Sequence, residues 1–384
     1  MQDMTQSISH PFPALQVLAE RAVLPEVLIG LEKALVELGI EYARVGQRFL
    51  LGRELELFER NGLRQFCAER SHDLAILPPN FSADALQVLA MDMDSTLINI
   101  ECIDEIADFV GKKVAVAEIT AATMRGEIVN FSESLSRRVA LLAGVPQSVL
   151  HSVYEERLQL NPGAEFFIAG AHERNMHTLL VSGGFTFFTT RMQERLHLSE
   201  AHSNELEVID GLLTGRVLGE IVDGSAKNRF LISACTTLGL TKKNALVMGD
   251  GANDLLMMAD CGLSVAYRAK PVVKEKADVA LDFVGLDAVL QLLQDCLKSF
   301  KDRSNSLSTT NTHGNQAILA IGTMQLMNRF GGNRCTSTTH GVTQCYSTTV
   351  HIGLGRIKSQ TFCNGNCLSS KSLVGLNHIH LIEC

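Results

Sequence analysis

Short apolar runs alternate with stretches of helical periodicity over most of the chain after residue 85. The runs contain almost no polar residues and occupy 86–90, 178–181, 244–248, 263–266 and 279–281. Such runs are typical of strands buried on both faces of a parallel sheet. Apolar positions at helical spacing cover 185–196, 227–238 and 286–297. Because strands alternate with helices, we expect a doubly wound parallel sheet of the α/β class.

One helical stretch interrupts this alternation directly after the first strand. Residues 101–165 carry apolar positions at helical spacing and no obvious strand. Sites in open α/β sheets form outside the carboxyl ends of the strands, so a helical block inserted there predicts a cap over such a site. Glu101 and Arg138 are the polar candidates to point from the cap towards it, although a solvated charge is the usual state of any single helix residue.

Residues 1–84 precede the first of these strands and form a smaller pattern. The predicted elements are helices at 24–38 and 55–70 and strands at 48–51 and 74–77, ending before Pro78-Pro79-Asn80. The segment contains no cluster of titratable residues and no motif. We therefore interpret it as a small α/β module for packing or dimerisation, which allows a homodimer, in preference to a ligand sensor.

Composition and charge exclude several classes of protein. A chain of 384 residues with 46% hydrophobic residues is long enough for two or three domains with buried cores. The net charge of −8 argues against nucleic acid as the main partner. No apolar run reaches the ~18 residues that a membrane span requires, and the N-terminus does not resemble a signal peptide. We expect a cytoplasmic protein whose cysteines before residue 300 are reduced.

Residues 301–384 differ in composition from the rest of the chain. They are rich in Ser, Thr, Asn and Gly, their only acids are Asp302 and Glu383, and they hold half of the ten cysteines. No helical or strand period persists, so we predict disorder, and a shifted reading frame or mis-set stop would also give this composition. Zinc at Cys363 and Cys367 is disfavoured because a second suitably spaced pair is missing. The predicted domains are 1–84, 85–300 with a cap at 101–165, and 301–384.

Two carboxylates, Asp92 and Asp94, follow the strand predicted at 86–90. Alternation along an extended chain would place both on the same side. Like charges this close repel each other unless a cation lies between them or one carboxyl keeps its proton. An Asp-rich turn explains the pair equally well, so the other strand ends have to decide between a site and a turn.

Polar and glycine-rich segments follow the next strands as well. These segments are Ser182-Gly183-Gly184, Lys227 at a helix start, and Gly249-Asp250-Gly251-Ala252-Asn253-Asp254. Because such strand ends meet at one edge of the sheet, we expect these residues near Asp92 and Asp94. Carboxylates without a His/Cys set suit Mg²⁺ better than Zn²⁺. A serine, backbone amides and a lysine beside that cation would seat a phosphoryl group, and a central carboxylate can attack phosphorus.

Together these motifs resemble the phosphoserine phosphatases of the haloacid dehalogenase-like hydrolase superfamily over residues 85–297. The run Asp92-Met93-Asp94-Ser95-Thr96 matches the Asp-x-Asp-x-Thr motif of the superfamily, and no motif departs from the family pattern. Ser95, Glu101 and the block from Phe131 to Val139 point to the phosphoserine branch. The resemblance implies a Rossmann-like core with a helical cap and a regulatory-type module before it.

The resemblance implies a separate task for each carboxylate. Asp92 would attack phosphorus and carry the phosphoryl group as an aspartyl phosphate. Asp94 would protonate the leaving serine oxygen and then accept a proton from the hydrolytic water. The cofactor Mg²⁺ would be held by the Asp92 carboxylate, the Asp94 backbone carbonyl and Asp250. Asp254 would position metal-bound waters from behind these ligands.

The resemblance also implies a site for O-phospho-L-serine, which would be hydrolysed to L-serine and phosphate in the last step of serine biosynthesis. The phosphoryl oxygens would be held by Ser182, the Gly183 amide and Lys227, and Asn253 would contact the phosphate or the substrate. Glu101 would pair with the substrate ammonium, and Arg138 with the carboxylate in a bidentate match. The implied catalytic residues are Asp92, Asp94 and Lys227.

Two other functions remain open from the sequence. One is a phosphatase or phosphotransferase of the same superfamily that acts on another small phosphomonoester. Glu101 and Arg138 argue against this function, because they suit an amino-acid zwitterion. The other is a catalytically silent binding or regulatory protein. A missing nucleophile or lysine would support that function, and neither residue is missing.

Overall fold

The computed structural model describes residues 10–128, 130–294, 358–363 and 366–372. The chain divides into two compact units. The first comprises residues 1–40 and 47–294, and the second comprises 41–46 and 295–384. All the predicted site residues lie in the first unit.

The elements before residue 85 include a helix pair and short strands. In chain order they are β1 (Ala14–Leu18), α1 (Pro25–Glu37), β2 (Tyr42–Val45), β3 (Arg48–Leu51), α2 (Leu57–Ala68) and β4 (Asp73–Leu77). Helix α1 begins at Pro25, which suits this position because the first helical N–H has no intrahelical partner. The observed α1, α2, β3 and β4 agree with the sequence prediction to within a few residues.

Strand β1 was not predicted, because Gln16 interrupts a short apolar run that follows two prolines. The whole strand is buried between β3 and β4. The Gln16 side chain tolerates burial because its amide oxygen accepts hydrogen bonds from Arg48 at 2.7 and 3.1 Å. Burial of a polar group that has such partners costs the protein little stability. The pattern of apolar and polar residues does not reveal these partners.

The remaining elements form the cap and the α/β core. The elements up to residue 218 are β5 (Val88–Met91), α3 (Cys102–Phe109), α4 (Lys113–Met124), α5 (Phe131–Ala140), α6 (Ser148–Glu156), α7 (Ala164–Glu173), β6 (His177–Phe185), α8 (Thr186–Leu196), β7 (Glu200–Ile209) and β8 (Leu212–Leu218). The later elements are α9 (Gly224–Thr237), β9 (Ala245–Gly249), α10 (Leu255–Met258), β10 (Leu263–Tyr267), α11 (Pro271–Lys276), β11 (Val279–Leu281), α12 (Val289–Leu292), β12 (Lys358–Cys363) and β13 (Asn366–Ser372).

The sheet of the first unit has the strand order β3-β1-β4-β11-β10-β9-β5-β6-β7-β8. The strands from β11 to β7 in this order are parallel, while β4 pairs antiparallel with β11, and β7 with β8. The predicted doubly wound α/β fold is confirmed. The boundary predicted at residue 84 stays a prediction, since the β4–β11 pairing joins residues before and after it in one sheet.

Strand β5 lies in the middle of this sheet, between β6 and β9. Its side chains alternate between two apolar clusters: Leu89 and Met91 join one, and Val88 and Ala90 join the other. Burial on both faces explains why the sequence of this strand is continuously apolar. It also directs the chain after Met91 to the carboxyl edge of the sheet, where β6 and β9 end as well.

The cap consists of α3 to α6, and the bounds predicted for it, 101–165, stay a prediction. The chain leaves the core and returns to it at one point, where Ile98 forms a β-bridge with Leu160. The Asn99 amide donates to the Gln159 carbonyl at 2.9 Å, and the Asn161 amide donates to the Leu97 carbonyl at 3.0 Å. These bonds fix the base of the cap beside the segment that contains Asp92 and Asp94.

Two predictions near the C-terminus fall partly outside the described residues. The helix predicted at 286–297 is observed as a 3₁₀ turn at Leu286–Ala288 followed by α12, which ends at Leu292. Residues 295–297 of the predicted helix lie outside the described residues. Within 301–384, the described residues form the antiparallel hairpin β12–β13, which the prediction of disorder did not include. The rest of that prediction lies outside the described residues. Cys363 and Cys367 lie in β12 and β13, and the disfavoured zinc site stays a prediction. Among the helices of the described ranges, none has the length and apolar character of a membrane span.

Candidate active site

Asp92 is the first residue after β5, and its side chain is held from two sides. Its Oδ1 accepts a hydrogen bond from the Met93 amide at 2.7 Å, and its Oδ2 lies 2.6 Å from the Lys227 Nζ. The side chain is almost completely buried. An ion pair in such surroundings is strong because little water screens it. The carboxylate is therefore fixed in position, with its charge balanced by a lysine.

Asp94 lies in different surroundings, although only one residue separates it from Asp92. The strand ends at Met91 and the chain turns, so the strand alternation assumed from the sequence does not extend to Asp94. Its Oδ1 accepts a 3.4 Å hydrogen bond from the Cys102 amide at the start of α3. Burial, followed by the charge of Glu101, raises the pKa of Asp94 to about 7. The two carboxyl groups thus differ in their partners, although burial raises the pKa of both.

The turn after Asp94 includes Ser95, whose φ of +56° lies in the left-handed region. A residue other than glycine pays about 1 kcal/mol or more for this conformation. The Ser95 hydroxyl donates to the Glu101 carboxylate at 2.9 Å. Opposite the turn lies Gly184, where an added Cβ would come within 2.7 Å of the Asp94 Oδ2. A glycine is required there for the close approach of β6 to this carboxyl group.

Lys227 is completely buried in the first turn of α9, between two carboxylates. Its Nζ lies 2.8 Å from Asp254 Oδ1 in addition to its contact with Asp92. Burial alone would lower the pKa of Lys227, but the charges of Asp254 and Asp92 outweigh burial and raise it. The other Asp254 oxygen accepts from the Asp250 and Gly251 amides at 3.2 and 3.0 Å. Two protein carboxylates therefore balance the charge of this lysine.

Asp92, Asp250 and Asp254 place carboxylate oxygens within 4.8 Å of one another, the only such cluster found in the described part of the chain. Burial, followed by the charges of Asp254 and Glu101, raises the pKa of Asp250 to about 7. A divalent cation would relieve this repulsion, and an oxygen-only donor set fits Mg²⁺. The Asp94 side chain does not belong to this cluster, and the predicted ligand atom of Asp94 is its backbone carbonyl.

The segment Ser182-Gly183-Gly184 lies at the carboxyl end of β6, directly before α8. The Ser182 hydroxyl is fully buried and accepts a hydrogen bond from the Gly184 amide at 2.9 Å. Space around Gly183 is limited, since an added Cβ would approach the Phe131 ring of the cap at 3.0 Å. The predicted anion-binding segment therefore lies between the core and the cap.

Two cap residues and one core residue complete the predicted set. Arg138 is half-buried on α5, where burial lowers its pKa against the opposing charges of Glu101, Asp104 and Asp94. Those charges act on Arg138 because the cap brings it towards the same region as the acidic residues. Asn253 is half-buried in the 3₁₀ turn Ala252–Asp254, after β9. The fold thus gathers every residue that the sequence singled out at one edge of the sheet and the cap above it.

Three residues that support this site were given no role from the sequence, although Thr96 belongs to the Asp-x-Asp-x-Thr motif. Thr96 donates to Asp250 Oδ1 at 3.4 Å. The buried side-chain amide of Asn161 donates through its Nδ2 to the Thr96 and Ile98 carbonyls, both at 2.9 Å. It thereby holds the turn that follows Asp94. The third, Asn204 of β7, bonds to Gly183 and Gly184. Asn161 precedes Pro162-Gly163, a sequence that is typical of an ordinary turn. No pattern in the sequence therefore identifies its hydrogen-bond partners.

The chain is similar to proteins of one hydrolase superfamily. A family model for haloacid dehalogenase-like hydrolases matches residues 89–259. A phosphoserine phosphatase of Polaromonas sp. is 50% identical over 223 residues, which are 57% of this chain and 94% of that protein. A phosphoserine phosphatase of Albidiferax ferrireducens is 48% identical over 235 residues, 58% of this chain and 99% of that protein. The crystal structure of an unliganded probable phosphoserine phosphatase from Vibrio cholerae has a TM-score of 0.61 and 33% identity, covering 76% of this chain and 88% of that chain.

Proposed function

The chain belongs to the phosphoserine phosphatases of the haloacid dehalogenase-like hydrolases, and we propose that it hydrolyses O-phospho-L-serine to L-serine and phosphate. The observation that carries this proposal is the environment of the buried Asp92 carboxylate. Its Oδ2 lies 2.6 Å from the Lys227 Nζ, and the segment Ser182-Gly183-Gly184 lies beside it. In a cell this reaction would be the last step of serine biosynthesis.

Asp92 is the proposed nucleophile because its carboxyl group is fixed, is paired with the Lys227 ammonium and lies next to the anion-binding segment. Its oxygen attacks phosphorus, the bond from phosphorus to the serine oxygen breaks, and the phosphoryl group stays on Asp92 as an acyl phosphate. Asp94 donates its proton to the leaving oxygen and then takes one from the water that hydrolyses this intermediate. Its pKa of about 7 supports both roles near neutral pH.

The carboxylate cluster supports Mg²⁺ as the cofactor. Asp92, Asp250 and the Asp94 carbonyl would hold the ion, which when bound neutralises charge between the nucleophile and the phosphoryl dianion. Asp254 is less available as a ligand, because Lys227 and two backbone amides already bind its oxygens. We therefore place Asp254 behind the ligands, where it orients Lys227 and the loop of Asp250.

The phosphoryl oxygens are proposed to bind Ser182, the Gly183 amide, Lys227 and Asn253. Glu101 of the cap would bind the ammonium group of the substrate, and Arg138 its carboxylate. Supporting this assignment, the Glu101 carboxylate is held next to Asp94 by the Ser95 hydroxyl. The charges of Glu101, Asp104 and Asp94 act on the Arg138 guanidinium. In this acidic region Arg138 supplies the positive charge that a substrate carboxylate requires.

Phosphate release from a panel of phosphomonoesters tests the proposed function. The panel contains O-phospho-L-serine, O-phospho-L-threonine and glucose 6-phosphate, each with Mg²⁺ and with excess chelator. We expect the highest kcat/KM with phosphoserine and loss of activity in chelator that added Mg²⁺ restores. A higher kcat/KM for the sugar phosphate would instead indicate a phosphatase for another substrate. No release from any ester would indicate a binding protein.

Arg138→Ala is expected to raise KM for phosphoserine about 100-fold, because a charge-assisted bidentate contact to the substrate carboxylate is lost. Phosphoethanolamine has the same phosphoryl and ammonium groups but no carboxylate, so its KM should change by less than about threefold. The matched control is Arg137→Ala, since Arg137 is exposed on the same helix and pairs with Glu133. Equal effects of Arg138→Ala on both substrates would remove Arg138 from the specificity role.

A further inference from the structure

Asn204 is a fully buried amide in β7, with 1% of its surface exposed. Its Nδ2 donates to the Gly183 carbonyl at 2.8 Å and to the Gly184 carbonyl at 3.3 Å. Its Oδ1 accepts from the Val222 amide at 2.8 Å. Burying an amide costs free energy unless both of its ends find partners, and here both ends do. The side chain therefore joins two segments of the chain that are far apart in sequence.

Each of these segments carries part of the proposed phosphoryl site. Gly183 and Gly184 belong to the anion-binding segment of β6. Val222 directly precedes Asp223, whose side chain accepts from the Ala226 amide at 2.8 Å and caps α9. Helix α9 carries Lys227. Asn204 thus connects the backbone that binds phosphoryl oxygens with the start of the helix that supplies the lysine.

The bonds of Asn204 continue directly to the Ser182 hydroxyl. In a trans peptide the C=O and the following N–H point in opposite directions. Because Asn204 holds the Gly183 carbonyl on one side, the Gly184 N–H points to the other, where it donates to the Ser182 Oγ at 2.9 Å. A hydroxyl that accepts this bond keeps its single hydrogen for another acceptor. Consecutive hydrogen bonds of this kind also polarise and strengthen one another.

We propose that Asn204 is a positioning residue for phosphoryl binding, which acts through the Gly183–Gly184 peptide to direct the Ser182 hydroxyl hydrogen at a phosphoryl oxygen. Through Val222 it also sets the separation between this peptide and Lys227. This inference rests on the proposed function as a phosphomonoester hydrolase, but it does not depend on which alcohol leaves. Asn204 itself lies behind the peptide and touches no reacting atom.

The test is a double-mutant cycle of Asn204→Ala and Ser182→Ala in the full chain with Mg²⁺ present. Asn204→Ala alone should lower kcat/KM about 100-fold, as expected when binding groups move by a fraction of an ångström to an ångström. In the Ser182→Ala background the same change should lower kcat/KM by less than about tenfold, because the hydroxyl on which Asn204 acts is absent. A purely structural role predicts the same loss in both backgrounds, and that result would overturn the proposal.

A matched control and a second measurement separate positioning from stability. Thr189→Ala also removes a partly buried hydrogen bond beside Asn204, since Thr189 bonds to Ser203 at 2.7 Å, and it should leave kcat/KM within about threefold of wild type. If Asn204→Ala loses no more activity than this control, the positioning role is wrong. Asn204→Asp keeps the acceptor for Val222 but removes both donors at neutral pH, so its loss should match that of Asn204→Ala.

Binding of inorganic phosphate, measured by calorimetry, distinguishes failure of this inference from failure of the proposed function. Asn204→Ala should weaken phosphate binding about tenfold or more, and Thr189→Ala should not. If wild type hydrolyses another phosphomonoester but not phosphoserine, the cycle is measured with that ester and the inference stands on its result. If wild type hydrolyses none, the phosphate measurement decides, and unchanged binding in Asn204→Ala would overturn the inference.

Discussion

Asp92→Asn is expected to lower phosphoserine turnover by a factor of about 10⁴ to 10⁶, the range found when an attacking residue is removed. An amide at this position cannot attack phosphorus, and it leaves the Lys227 ammonium without the partner that now lies at 2.6 Å. Phosphate release measured with freshly prepared enzyme is the assay, because deamidation of the introduced asparagine would restore the carboxylate.

Intact-mass measurement after rapid quenching shows whether the loss has the proposed cause. Wild type should show a fraction of molecules with one added phosphoryl group, and Asp92→Asn should show none. Asp94→Asn is the matched variant, since it also exchanges a carboxylate for an amide within the same turn but keeps the attacking group. A phosphorylated Asp92→Asn enzyme, or one with substantial turnover, would contradict the assignment of the nucleophile.

Lys227→Met is expected to lower the free energy of unfolding by about 3 kcal/mol and to lower turnover about 1000-fold. Methionine fills a similar volume but leaves the buried carboxylates of Asp92 and Asp254 without their shared cation. Burial already raises the pKa of Asp92, and Lys227 opposes that increase, so the variant should raise this pKa further. Denaturant unfolding at several pH values measures the effect.

The pH dependence of this loss has a definite sign. A carboxyl group whose pKa is higher in the folded protein than in the unfolded chain gives no penalty when both states are protonated, and a growing penalty as the pH rises through the folded pKa. The deficit of Lys227→Met should therefore shrink towards pH 4 and grow towards pH 8. Lys242→Met is the control, because the Lys242 Nζ donates to the uncharged oxygens of Asn228 and Leu256 and not to a buried carboxylate of the described chain. A similar, pH-independent loss in both variants would show that burial of methionine, not the bare carboxylates, is the cause.

The sequence predicted the sheet and the location of the site because these follow from burial. A strand buried on both faces must be apolar throughout, as β5 is, and its polar residues can appear only where it ends. Asp92 and Asp250 could therefore be assigned to one edge without coordinates. Lys227 could be assigned there too, since a cation in a first helical turn is unfavourable unless an anion lies nearby.

The directions of side chains and the partners of buried amides could not be predicted in the same way. Alternation describes an extended chain, and it ends at Met91, so the different surroundings of Asp92 and Asp94 depend on a turn with Ser95 at positive φ. Asn204 forms hydrogen bonds with residues 18 to 21 positions away. Periodicity predicts which side of a helix or strand is apolar, but it does not predict the partners of an amide on that side. Strand β1 was missed for the same reason, because the partner of the buried Gln16 amide could not be predicted.

The base of the cap has a consequence for how such enzymes diversify. Residues 97–99 leave the core and residues 159–161 return to it as hydrogen-bonded neighbours, so the sheet closes in the same way whatever the chain does between them. We expect that the later cap helices can change in length or sequence without disturbing this closure, whereas the start of α3 is tied to the core through the Cys102 amide and Glu101. Choice of leaving group, for which Arg138 on α5 is proposed, can thus evolve with less effect on the chemistry at phosphorus than a change at Glu101 would have.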